Sequence, residues 1–83
     1  MFYRRLYIAH LIDSGINTVP KLIKETGMHR RTLQDTITGL ADLDIECEFH
    51  GATKDGSYVI IDWAGIDPEW VENHLRHIKS VLQ

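Results

Sequence analysis

The residues able to do chemistry are few, and most of their groupings fail on spacing. His74 and His77 stand three apart on a helix and could share a ligand face. No third ligand stands at a motif distance from them and HExxH is absent, so no metal site is expected. Asp42, Asp44, Glu46 and Glu48 form an acidic run with no adjacent nucleophile and no glycine-rich phosphate loop. General acid–base or phosphoryl chemistry needs such a neighbour, so the run reads as solvated, or as a patch for a basic protein, and no enzyme is expected. Cys47 alternates with Ile45 and Phe49, which is the place of a buried core thiol. What remains is one polar helix side. Arg31, Gln34, Asp35 and Thr38 lie opposite Leu33, Ile37, Leu40 and Leu43, with Arg30 and Ala41 on the flank. A polar helix side is ordinarily just hydrated, so its meaning depends on the elements that hold it.

Those elements belong to one domain, 1–83, because 83 residues close only one core. Net stability should be about 3–8 kcal/mol. Apolar residues at 43% and charged ones at 25% are ordinary for a soluble protein. The lone Cys47 has no disulfide partner within the chain, which points to a reducing cytoplasm. Arg4 and Arg5 before Leu6–Ile12 superficially resemble a signal peptide. That run is short, is interrupted by His10 and lacks a small-residue cleavage site, so a helix is expected instead. No segment has the roughly 18 apolar residues needed to span a bilayer.

Net charge is −3, but its distribution is uneven. Residues 1–40 carry six Lys/Arg against three acids, and residues 41–83 carry three against nine. A basic half and an acidic half can occupy opposite faces of one domain.

Along the chain, residues 2–13 predict a first helix with Phe2, Leu6, Ala9 and Ile12 on one stripe. Tyr3, Tyr7, Ile8 and Leu11 fall outside it, so this helix should pack against something beyond its own small core. Gly15–Thr18 predicts a short edge strand. Asn17 or Thr18 then caps a second helix with Pro20 in its first turn and Gly27 as its left-handed end. A third helix is expected from Arg30 to Asp42, with His29 as a weak cap. Ile45–Phe49 alternates in polarity and Ser57–Trp63 is rich in β-branched and aromatic residues, so the two predict a hairpin around Gly51–Gly56. Asp67, Pro68 and Glu69 open a last helix at about 68–82, with Trp70, Val71, Leu75, Ile78, Val81 and Leu82 as its stripe.

This order (helix, short strand, helix, helix, two-stranded wing, C-terminal helix) resembles the winged helix-turn-helix fold, α+β and mainly α. The likeness of 18–43 to a helix-turn-helix rests on Val19, Leu22, Ile23, Gly27, Met28, Thr32, Leu33, Ile37 and Leu40. The chain resembles small bacterial winged-helix regulators that stand alone. The resemblance implies sequence-specific binding of double-stranded DNA and transcriptional regulation, with helix 30–42 in a major groove about 12 Å wide.

On that resemblance His29, Arg30, Arg31, Gln34, Asp35 and Thr38 become the reading positions. Arginine suits guanine edges or phosphates, glutamine pairs with adenine, and threonine reaches a phosphate or a thymine methyl. Asp35 must accept from cytosine or orient Arg31. Lys21 and Lys24, with Lys54 at the wing tip, are phosphate candidates. The wing, with Asp55, Glu46 and Glu48 near Lys54, should touch the minor groove weakly or not at all.

Such regulators commonly pair, and surplus apolar residues on the first and last helices predict a homodimer. Its interface is expected to use Tyr3, Tyr7, Leu11, Trp70, His74, Leu75, Ile78 and Leu82. The alternative is that these residues merely cover the back of the core in a monomer. A rival reading keeps the fold as a protein-interaction module that does not bind DNA. No cofactor and no membrane contact are expected.

Overall fold

Local chemistry bounds the second helix and starts the fourth, while the third begins without a side-chain cap. A computed structural model describes residues 2–52 and 55–82. Helix α1 spans Phe2–Asp13, α2 Val19–Thr26 and α3 Arg30–Thr38, the last running into a 3-10 turn at Gly39–Leu43. Strands β1 (Glu46–His50) and β2 (Ser57–Asp62) follow, then α4 (Pro68–Asn73) and α5 (Leu75–Leu82). No helix among the described residues is long and apolar enough to cross a membrane.

Helix α1 lies at the centre of the packing. Its Ile8, Leu11 and Ile12 join Leu22, Leu33 and Ile37 in the cluster that seats α2 and α3. Ala9 meets Leu40 and Ile45, while Leu6 meets Val71 and Ile78 on the remaining side. Of the residues outside the expected stripe, Ile8 and Leu11 are thus taken up by α2 and α3, while Tyr3 and Tyr7 pack against the cluster of Leu6, Val71 and Ile78. Leu11 and Ile78, expected at a dimer interface, are 5% and 0% exposed within one chain, so neither is free to meet a second copy. Phe2, placed on the inward stripe by spacing, is 46% exposed because it begins the helix beyond the reach of the core.

In α2, Thr18 adopts an extended conformation and its side chain accepts from Lys21 N at 3.3 Å, with Pro20 in the first turn. Gly27 ends the helix at φ 73°, a left-handed conformation that costs a side-chain-bearing residue about 1–2 kcal/mol. Thr26 binds the turn together. Its hydroxyl donates to Leu22 O at 2.7 Å and accepts from Met28 N at 3.2 Å. This bridge between the two helices had no signature in the sequence pattern.

The third helix is shorter than its periodicity predicts. Its α-helical part stops at Thr38, and the remaining residues to Leu43 tighten into 3-10 geometry before Asp44 turns the chain at φ 59°. Tightening keeps Leu40 buried and Leu43 half-buried, lets Ile45 N donate back to Leu40 O at 3.1 Å, and so starts the hairpin. Arg5 holds this turn to α1 through Asp42 at 3.3 Å.

The strands pair antiparallel, Cys47 opposite Ile60, Phe49 opposite Tyr58 and His50 opposite Ser57, with a register shift between Glu46 and Cys47. Residues 15–18 form no strand. A single bond from Tyr58 N to Asn17 O, 2.8 Å long, ties that segment to β2, too little for a ladder.

One continuous last helix was expected and two are found. Asp67 accepts from Glu69 N at 2.9 Å and Pro68 takes the first turn, so the start is as spacing implies. The break falls at His74, whose ring Nδ1 donates to Trp70 O at 2.7 Å. That carbonyl would otherwise accept the backbone N–H four residues on; the His74 N–H bonds instead to Val71 O at 3.1 Å. The imidazole also stacks on the Trp70 indole, 4.1 Å between ring centres.

Candidate nucleic-acid interface

Helix α3 is held by its inner side and open on its outer side. Leu33 is fully buried and Ile37 nearly so, both against α1 and α2. Thr36, also buried, satisfies its hydroxyl by donating to Thr32 O at 2.8 Å. The opposite side carries Arg30, Arg31, Gln34, Asp35 and Thr38, all exposed. His29 sits at the cap position but makes no side-chain capping bond. Lys21 and Lys24 of α2 are exposed as well. Lys54 lies outside the described residues.

The start of α3 runs against local physics. The N-terminal end of a helix carries partial positive charge and favours acids, each contributing about 0.3–1 kcal/mol. Here the first turn holds Arg30 and Arg31, has no acid, and lacks a side-chain cap. Asp35, one turn beyond Arg31, makes no ion pair with it at 4 Å or less, and among the described residues neither arginine is held in one. Local rules broken on an exposed surface are characteristic of a site kept for something other than stability.

The hairpin presents a different surface. Glu46 stands opposite Asp62 and Glu48 lies on the same outer side, so that side is acidic. His50 Nε2 approaches Glu48 Oε1 at 2.7 Å. The inner side carries Cys47, Tyr58 and Ile60 onto the core. Phe49, expected inward with Ile45 and Cys47, is instead 44% exposed, because it stands at the far end of the hairpin where the core has run out. Between this side and α3 run two shallow depressions, and Gln34, Phe49 and Tyr58 line both of them.

The other groups singled out by residue type are quiet. Cys47 is half-buried and its burial pushes the thiol pKa upward, which keeps it protonated and a poor nucleophile. Burial, with Glu25 second, raises that of Tyr7. No group of three or more metal-ligating side chains occurs among the described residues. Of the expected interface residues, Trp70 and Leu82 are exposed, at 42% and 37%; Tyr3, Tyr7, His74 and Leu75 are half-buried.

The chain is similar to a solved structure, a DUF2131 family protein from Shewanella amazonensis SB2B. The two share 42% identity with a TM-score of 0.89, over 98% of this chain and 87% of that one. No curated protein matches. The winged helix-turn-helix family model matches residues 1–82. With its helices and two-stranded wing arranged as described, this chain belongs to the winged helix-turn-helix family.

Proposed function

We propose that this protein binds double-stranded DNA sequence-specifically and regulates transcription in the cytoplasm of a bacterial cell, with α3 in the major groove. The observation that carries the reading is the outer side of α3. Two arginines, a glutamine and a threonine are exposed together, on a helix whose opposite side is locked by Leu33 and Ile37. Arg30 and Arg31 suit guanine or phosphate, Gln34 suits adenine, and Thr38 suits phosphate or a thymine methyl. Asp35 accepts from a cytosine amino group. Lys21, Lys24 and Lys54 neutralise phosphates. The wing's acidic outer side turns away from the duplex.

Binding to duplexes selected from a random pool, measured at several salt concentrations, tests this. Six to eight phosphate contacts across a pair of subunits give log K against log salt a slope of about −5 to −7. A flat response would remove the reading and favour the alternative suggested by Glu46, Glu48 and Asp62, an acidic surface for a basic protein partner.

Pairing of two copies is part of the proposal, since one reading helix gives limited specificity. It uses what remains accessible of the first and last helices: Tyr3, Tyr7, Trp70, His74, Leu75 and Leu82, without Leu11 and Ile78. Trp70 is the anchor, being large, aromatic and exposed. Trp70→Glu should weaken pairing by about 30-fold or more in sedimentation equilibrium while leaving the thermal melt of the chain intact. A wild-type protein that sediments as a monomer at high concentration would exclude it.

A further inference from the structure

We propose that Phe49 makes an apolar contact with the duplex, beside the base read by Gln34, so that this wing contributes through its hydrophobic inner side. The inference rests on the DNA-binding reading above.

Four observations carry it. Phe49 is exposed although its strand points the same side inward at Cys47. Its ring is held in place. Tyr58, directly opposite in register, meets it edge-to-face with ring centres 5.0 Å apart. Gly56 lies beneath the ring, where a Cβ would stand 2.3 Å from the Phe49 Cζ atom, so this ring position requires glycine there. Finally, Phe49 and Gln34 line the same two depressions, which makes the ring continuous with the exposed side of α3.

Charge decides what kind of contact this is. The depression lined by Arg30 also holds Asp55, so it is a poor seat for a phosphate. A duplex offers two apolar surfaces at this depth, the thymine 5-methyl group in the groove and the deoxyribose at its rim. Phenylalanine is suited to either. An exposed ring fixed by Tyr58 and Gly56 loses little freedom on meeting them.

The test uses duplexes selected from a random pool by the full-length protein. Phe49→Ala should weaken binding about 10-fold with an unchanged salt slope, since no counterion is released by an apolar contact. Lys21→Ala, by contrast, removes one phosphate contact from each subunit of the pair and should reduce the slope by about 2. Replacing thymines one at a time by uracil removes a single methyl and leaves the protein untouched. Loss of about 4-fold at one position for wild type, and none there for Phe49→Ala, identifies the thymine methyl as the contact. Uracil indifference with the Phe49→Ala loss intact identifies the deoxyribose. Phe49→Leu, which keeps an apolar side chain, should retain most of the affinity and controls for hairpin folding. Phe49→Ala binding like wild type, or losing affinity together with a reduced slope, would overturn the inference while leaving the role of α3 standing. If no duplex is selected, or charge reversal at Arg30 and Arg31 has no effect, the DNA-binding reading fails and this contact with it.

Discussion

Reversing the charge of Arg30 and Arg31 together should abolish specific DNA binding without harming the fold. Each arginine lost from a base edge or phosphate costs about 1–3 kcal/mol, and glutamate in its place adds repulsion, so the double variant should bind at least about 100-fold more weakly. Stability should move the other way. Both side chains are exposed and, among the described residues, neither forms an ion pair of 4 Å or less. Acids in the first turn of α3 also meet the helix dipole favourably, by about 0.3–1 kcal/mol each. The thermal midpoint should therefore stay or rise while affinity collapses. Titration of a selected duplex, alongside a melt followed by circular dichroism, separates the two effects. Unchanged affinity would remove α3 from the interface; a lowered midpoint would mean that the arginines serve the fold.

Leu33→Ala should have the largest effect on the fold itself. Leu33 is fully buried where α1, α2 and α3 meet, and truncating it leaves a cavity that neighbouring helices fill poorly. Such losses cost about 2–5 kcal/mol. A domain of 83 residues has only about 3–8 kcal/mol to lose, so the variant should melt at least about 10 °C lower or be unfolded at ambient temperature. Urea denaturation measures this directly. A midpoint within experimental error of wild type would mean that α3 is not anchored through Leu33, and the assignment of its outer side would lose its basis.

The sequence is most legible where short-range rules act alone. Thr18, Pro20 and Gly27 bound α2 as their chemistry dictates, and Asp67 with Pro68 starts α4 in the same way. The exposed side of α3 follows from the spacing of Leu33 and Ile37, because a helix pinned at two inner positions leaves one outer side. Longer-range effects were hidden. The apolar excess of α1 reads first as an interface for a second copy, with cover for the back of the core as the alternative. Only the positions of Val71 and Ile78 decide that Tyr3 and Tyr7 are half-covered from within. The break at His74 was invisible because it depends on one ring reaching one carbonyl, and periodicity carries no trace of it. Phe49 alternates like a core residue, yet alternation does not say where along a hairpin the core stops. Helix α3 ends early for a related reason, since tight 3-10 geometry and α-helical geometry bury nearly the same leucines.

The central place of α1 has a consequence for how the domain comes apart. Each of the three apolar clusters includes residues of this one helix, so the wing, the reading unit and the terminal helices share a single keystone. Loosening any one of them wets a flank of α1 and weakens the grip of the other two. A chain wired this way has no half that can stay ordered alone, and it should lose its structure in one cooperative step.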